Sequence, residues 1–469
     1  MLRLSERSNL TALDEESLPE GWALAQIRDL VDIHYGKSLR EDNRKVGPIA
    51  VYGSNGIVGS HNMSLTNGPT IILGRKGTIG AVHLCASGCW PIDTTYYINR
   101  FHDLDPTFLA AALRNLGLSE LDTSTAIPGL NRDDVYEQTI ALPPSAEQKR
   151  LGTQLERCVN LINSARNRLS RIPAILKRFR QAVLAAACSG RLTEDWRQQN
   201  PSVQLAFHTT VGKPLAKNAD LPDEWKVASV ESVCEVVVDC PHSTPRWTTD
   251  GLICVRTTSF KLGFLDLSDV RYVSESTYNE RTSRLAPKSG DVLYSREGGI
   301  LGIACLVPPG VKLCLGQRMM LMRTNSSICD STFLMHVLNG PATIESVKDL
   351  TGGSASPHLN VADIKTFPVP QPPLPEQQEI VRRVGVLLSV ADDIEKRTAD
   401  AGCRVDQLTQ SILAKAFRGE LVPAEAELAR REGREYEPAS VLLERIKAER
   451  EEQPILRKRT RKSVATAER

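Results

Sequence analysis

Two arginines stand at matching places beside glycines: Arg75 in Gly74-Arg-Lys-Gly77-Thr-Ile-Gly80 and Arg296 in Ser295-Arg-Glu-Gly298-Gly-Ile300. A guanidinium on a tight loop, where the backbone can approach a partner closely, suits forked hydrogen bonds to guanine or pairing with phosphate. Lys76, Thr78 and Arg318 offer further donors around the same loops. Lys37-Ser38 and His242-Ser243-Thr-Pro-Arg246 follow the first expected strand of each half and carry groups suited to phosphates or base edges. Plain surface-turn chemistry is the alternative for each of these residues, and the sequence leaves both open.

Patterns that would make the chain an enzyme are missing. Gly74, Gly77 and Gly80 are not followed by the Lys-Ser or Lys-Thr pair that completes a phosphate loop. Leu142-Pro-Pro-Ser145 and Gln371-Pro-Pro-Leu374 lack the terminal aromatic with which amino-methyltransferases grip a base, and Tyr52-Gly-Ser-Asn-Gly56 has the glycine spacing of a turn. Pro222-Asp-Glu-Trp-Lys226 contains the letters of a nuclease site, but a metal-gathering acid and Glu-x-Lys pair must be set apart. The first half has Gly21 and Ala23 at the places of its Glu and Lys. The eleven cysteines are an odd number, form no Cys-x-x-Cys pair and are scattered along the chain, which argues against a disulfide framework or a zinc site, with Cys85 and Cys89 the closest pair. The expectation is a binding protein with no catalytic residue, metal or cofactor of its own.

The elements that must position these residues come in two copies. Leu18-Pro-Glu-Gly-Trp22 answers Leu221-Pro-Asp-Glu-Trp225; Asp105-Pro-Thr-Phe-Leu109 answers Asp330-Ser-Thr-Phe-Leu334; Pro128-Gly-Leu-Asn131 answers Pro357-His-Leu-Asn360. The separation between partners grows along the chain and never shrinks, as a duplicated unit with insertions in its second copy requires. Short β-branched runs such as Thr70 to Leu73, Val236 to Val238 and Asp291 to Tyr294 predict strands, and Phe108 to Leu116 and Phe333 to Leu338 predict short helices. Asn131 and Asn360 are expected to cap helices.

Each copy then leaves through prolines into a long helix. From Leu151 to Ala186 apolar residues recur in an unbroken alternation of four and three, through Leu155, Ile162, Leu169, Leu176 and Phe179. From Ile380 the same spacing runs through Val384, Leu387, Ile394, Leu408 and Ile412, interrupted by Thr398 and Lys415. A seam this narrow is built to meet one other helix, and the partner is expected within the same chain. Pro173 should kink the first helix, and Gly190 and Gly419 should end the two. At 1.5 Å per residue the first seam is roughly 54 Å long, enough to reach successive major grooves about 34 to 36 Å apart. Nine basic residues against two acidic ones between Ala146 and Cys188 mark the first helix as the basic one; its twin, Pro375 to Phe417, has six against seven. This excess suits either a solvated face or a phosphate-facing one.

The expected fold is α+β: two mixed α/β recognition domains separated by two long antiparallel helices that form an intramolecular coiled coil, with a pseudo-two-fold internal repeat. The boundaries expected are residues 1–145 and 221–374 for the two domains, 146–190 and 375–421 for the helices, 191–220 for a linker and 422–469 for a C-terminal segment. In that segment Val441, Leu442, Ile446 and Ala448 suggest a short amphipathic helix that docks on the bundle or on a partner, followed by a basic tail with Arg457, Lys458, Arg459, Arg461 and Lys462. With 41% apolar and 24% charged residues, no run long enough to span a bilayer and a polar start, the chain is expected to be cytoplasmic.

The Pro-Pro-x-x-Glu147-Gln148 and Pro-Pro-x-x-Glu376-Gln377 elements, the long helices that follow and their closing runs, Arg180 to Leu192 and Thr409 to Leu421, resemble the specificity subunits of type I restriction-modification systems over nearly the whole chain. The resemblance implies a non-catalytic subunit whose two target-recognition domains each read one half of a split double-stranded DNA sequence. It also implies helices that act as a spacer and hold two methyltransferase subunits, with motor-nuclease subunits joining that assembly. S-adenosylmethionine, ATP and magnesium would then sit on those partners. A coiled-coil scaffold that holds protein partners without reading DNA is the alternative.

Overall fold

The run Thr-Ile-Ile-Leu-Gly at residues 70–74 is buried at every position, as a strand covered on both faces must be. The computed structural model describes residues 18–121, 129–201, 221–298, 300–351 and 358–452. They divide into two units, Met1–Leu169 with Asp400–Arg469, and Ser170–Ala399.

In the first unit, strands β1 (Ala23–Gln26), β2 (His34–Tyr35), β3 (Ile49–Gly53), β4 (Gly56–His61), β5 (Thr70–Gly74), β6 (Val82–Cys85), β7 (Trp90–Pro91), β8 (Thr95–Ile98) and β9 (Thr139–Leu142) form three sheets. Their orders are β2-β8-β5-β6, β4-β3-β7 and β1-β9. Short helices α1 (Ile27–Leu30), α2 (Pro106–Asn115) and α3 (Arg132–Tyr136) accompany them. Asp105 caps α2 by accepting from the Phe108 amide, and Asn131 caps α3 by accepting from the Asp133 amide. The long α4 (Ser145–Leu169) contributes Leu151 and Leu155 to a core with Ile71, Leu73, Phe108 and Leu113.

The second unit repeats the plan. Strands β10 (Lys226–Ser229), β11 (Cys234–Asp239), β12 (Trp247–Thr248), β13 (Leu252–Val255), β14 (Phe260–Lys261), β15 (Phe264–Leu265), β16 (Arg271–Val273), β17 (Val292–Ser295), β18 (Ala304–Leu306), β19 (Leu313–Leu315), β20 (Met319–Thr324) and β21 (Pro368–Gln371) include the sheet β11-β20-β17-β18, which matches β2-β8-β5-β6 strand for strand. The pair β10-β21 matches β1-β9, and the parallel pairing of β13 with β19 matches that of β3 with β7. Around them lie α5 (Ile172–Cys188), α6 (Glu194–Gln199), α7 (Val230–Val233), α8 (Glu275–Arg281), α9 (Ser331–Leu338), α10 (Pro341–Thr351) and α11 (Val361–Lys365). Asp330 caps α9 as Asp105 caps α2, whereas Asn360 makes no capping hydrogen bond. The second long helix, α12 (Leu374–Phe417), gives its residues up to Ala399 to this unit and the rest to the first.

Within each unit the long helices pair antiparallel. In the first, Arg150 reaches Pro423 and Glu425 while Arg166 reaches Asp406. In the second, Arg180 reaches Asp392 and Glu395 while Leu192 and Asp195 receive Arg383. Three of the basic residues of the first helix are thus committed to acids of the second helix or of the segment after it. The helix ends at Leu169 and a new one begins at Ile172 with Pro173 in its first turn, so the proline starts a helix instead of kinking one. Gly190 and Gly419 both adopt left-handed φ, at +77° and +72°.

Along the seam, Leu155, Ile162, Leu176 and Val384 are buried, and Leu169, Phe179, Leu387 and Ile412 are half-buried. Ile394 and Leu408 are 40% and 53% exposed. Two helices shield a seam residue from one side only. Leu155 and Val384 are covered because the globular cores also reach them.

Two boundaries differ from those expected. Residues 191–199, taken as the start of a linker, form a turn of 3-10 helix and α6 within the second unit. Their polar composition satisfies a buried carboxylate described below. The segment after α12 belongs to the first unit: α13 (Glu425–Glu432) and a helix over residues 439–452 follow, with Ala439, Leu442, Leu443 and Ile446 buried in the core and Val441 54% exposed. Each buried leucine or isoleucine stabilises by roughly 1.5–3 kcal/mol. Residues 202–220 and the basic cluster from Arg457 to Lys462 lie outside the described residues.

Candidate nucleic-acid interface

In the first unit the ends of β2, β5 and β8 bring one loop cluster together. The amides of Arg75 and Lys76 both donate to the Thr94 carbonyl, and the Leu130 amide donates to the Arg75 carbonyl. A Cβ on Gly74 would collide with the Thr78 carbonyl, so this strand end must be glycine. The Arg75 guanidinium lies 5.0 Å from the centre of the Tyr35 ring and 5.7 Å from that of Tyr96, and donates to the Asp93 carbonyl at 3.3 Å. Arg132, from α3, covers Tyr35 at 5.2 Å. Two half-buried cations thus stack on a tyrosine that is 51% exposed, and both keep donors for a planar or anionic partner. Lys37, Ser38, Lys76 and Thr78 are exposed on the same cluster. The Lys37 amide donates to the Pro91 carbonyl and its carbonyl accepts from the Trp90 indole.

The second unit builds the matching loops differently. Arg296 is 5% exposed. Its Nε and one terminal nitrogen hold both oxygens of Asp239, at 2.9 and 3.1 Å, and the same terminal nitrogen meets His242 Nδ1 at 3.4 Å. The other terminal nitrogen donates to the Leu359 carbonyl and pairs with Glu297 at 2.7 Å. The expectation of Arg296 as a surface reader is therefore corrected: it is a buried clamp, because a carboxylate stands at the strand end where the first unit has Tyr35. Beneath the loop, the buried Arg281 donates to the carbonyls of Pro241, Ser243, Leu315 and Gly316. The Gln317 side chain donates to the His242 carbonyl. Above this layer His242, Ser243, Arg246 and Arg318 are exposed, and His242 Nε2 lies 3.0 Å from Asp239.

The Pro-Pro-x-x-Glu-Gln elements have structural work that their spacing did not announce. In the first unit Glu147 is fully buried, accepting from the Trp22 indole at 3.0 Å and the Glu425 amide at 2.9 Å. Burial raises its carboxyl above the usual range, while the Glu425 amide and Trp22 indole pull the other way. In the second unit Glu376 accepts from the Trp225 indole, the Thr193 hydroxyl and Arg197. Gln148 and Gln377 accept from the amides of Asp105 and Asp330, the caps of α2 and α9, and so tie each long helix to its sheet domain. Tyr35, Arg132, Asp239 and Arg281 were missed in the sequence. The tyrosines flanking Arg75, in His34-Tyr35 and Tyr96-Tyr97, were the available signal for the first two.

Residues 19–174 and 222–401, one stretch in each copy, match the family described as the type I restriction modification DNA specificity domain. The chain belongs to this family. Among relatives of this specificity subunit, the EcoDI specificity subunit of Escherichia coli is 34% identical over 71% of the chain and 73% of its own length. The EcoKI specificity subunit of Escherichia coli strain K12 is 32% identical over 73% and 70%. Two solved structures share the fold at 19% identity. One is a chain of a type I R-M system, with a TM-score of 0.63 over 86% of this subunit and 99% of that chain. The other is the HsdS subunit from Thermoanaerobacter tengcongensis, with a TM-score of 0.50 over 86% and 98%. As a specificity subunit the chain is the non-catalytic member of its system. No described helix is long and apolar enough to cross a membrane.

Proposed function

We propose that each unit of this specificity subunit reads one half of a split double-stranded DNA target through its loop cluster. The observation that carries the reading is the repetition: one sheet order is built twice, and each copy raises donor-rich side chains on the same strand ends. Lys37, Ser38, Arg75, Lys76 and Thr78 serve the first half-site, and His242, Ser243, Arg246 and Arg318 the second. Arg296 supports them from within. Contacts to phosphate fix position, and contacts to base edges give sequence.

The long helices act as a spacer and a docking surface for two methyltransferase subunits, which motor-nuclease subunits then join. Exposed apolar side chains on these helices support that role: Val159 and Leu161 in the first unit, Ile175, Val386 and Val390 in the second. S-adenosylmethionine, ATP and magnesium belong to those partners, and the assembly works in the cytoplasm, where it meets double-stranded DNA. Mapping methylated positions in cells with and without this chain tests the reading. Loss of one bipartite motif is expected, and changing the helix length should change its unread gap. An unchanged map would sink the proposal and leave the scaffold reading.

A further inference from the structure

The two sequence-matched arginines suggest equivalent readers, but their side chains exclude it. A guanidinium has five N–H donors. Those of Arg296 face Asp239 twice, His242, the Leu359 carbonyl and Glu297, which leaves none to offer to DNA. Arg318 is placed otherwise. Its side chain is 58% exposed, and the contact described for it is Glu297 at 3.9 Å, beyond hydrogen-bonding reach. Its backbone takes the left-handed conformation, φ +69°, which a residue other than glycine rarely adopts. Its carbonyl accepts from the Arg296 amide at 3.0 Å, and its guanidinium lies over Gly298, where an added Cβ would sit 3.4 Å from it. The adjoining turn is fixed from below by Arg281 through the Leu315 and Gly316 carbonyls.

We propose that Arg318 is the residue with which the second unit specifies guanine, and that Arg296 is a positioning residue holding the loop that presents it. This rests on the DNA-recognition reading above. The fork of Arg318 remains available, with Glu297 3.9 Å away. A guanidinium fork matches the O6 and N7 acceptors of guanine in the major groove.

The test uses the full chain co-expressed with its methyltransferase subunits, with methylated positions mapped across a genome. Arg318→Gly removes the guanidinium and suits the left-handed backbone, so the unfolding temperature should hold or rise. One guanine in one half of the target should become degenerate, its discrimination falling roughly 5- to 150-fold while the other half keeps its sequence. Arg318→Lys, which keeps the charge but loses the fork, should relax the same position, as should Arg296→Lys. The proposal is overturned if the motif stays intact while methylation weakens evenly at all sites, the mark of a phosphate contact. It is equally overturned if the map does not change, if all methylation disappears at an unchanged unfolding temperature, or if Arg296→Lys relaxes a different base. Failure of the underlying reading looks different: removing the whole chain would then leave the methylation map as it was.

Discussion

Arg75 and Arg296 share a backbone and differ in almost everything else. Each follows the matching strand, and each amide donates to the carbonyl before the next strand, Thr94 in one copy and Arg318 in the other. The residue facing them decides the rest. At the end of β2 it is Tyr35, whose ring stacks with the guanidinium and takes none of its donors. At the end of β11 it is Asp239, whose carboxylate takes two of them and draws the cation inward. One scaffold thus presents its cation directly in one copy, and in the other buries it beneath a second arginine. A sequence repeat transfers position, while role depends on the partner at the strand end.

The largest effect expected from breaking this contrast is at the buried pair. Arg296→Ala takes from Asp239, which is 12% exposed, its two-pronged partner and leaves His242 beside it, and should destabilise the second unit by about 3 kcal/mol in urea unfolding. A loss below about 1 kcal/mol would place Arg296 at the surface in effect. The matching helices offer a second contrast. His336 of α9 is buried where α2 has Ala111. Burial pushes its imidazole down to about 4, against the pull of Asp330. Because the folded value lies below the unfolded one near 6.5, the native state binds fewer protons. Stability is therefore full above about pH 6.5 and falls through the window from 6.5 to 4, by up to about 3 kcal/mol. Hydrogen exchange followed separately in the two units at pH 7 and pH 4.5 should show acid loosening the second unit, with His336→Ala removing much of that slope; equal slopes would refute the assignment. The smallest change in stability belongs to Arg75→Ala. Losing a half-buried cation–aromatic contact should cost about 1 kcal/mol, while recognition of the first half-site suffers. A loss as large as that of Arg296→Ala would erase the contrast.

Much of the architecture was legible because it is periodic. The long helices follow from spacing, the duplication from matched motifs in a fixed order, and the strands around residues 70 and 292 from β-branched runs. What escaped notice was long-range pairing. Trp22 and Trp225 mark matched motifs, but their bonds to Glu147 and Glu376 close gaps of 125 and 151 residues that no local pattern encodes. Arg281 stands in an ordinary charged helix, and only the fold brings four carbonyls to it. Arg296 was misread for the same reason, since its partner Asp239 lies 57 residues away. Ile394 and Leu408 fit the seam by spacing, yet spacing cannot tell how many layers cover it.

The buried residues of the helix over residues 439–452 lie in the same core as Phe108 and Leu113. The unit that begins the chain is therefore discontinuous, whereas Ser170–Ala399 is one unbroken stretch. On the ribosome the usual order of assembly is reversed. The later-encoded unit has all its residues first and can fold while synthesis continues. The core of the other is completed only when Leu442 and Ile446 have emerged; of the two units, the one whose synthesis starts earlier is finished later.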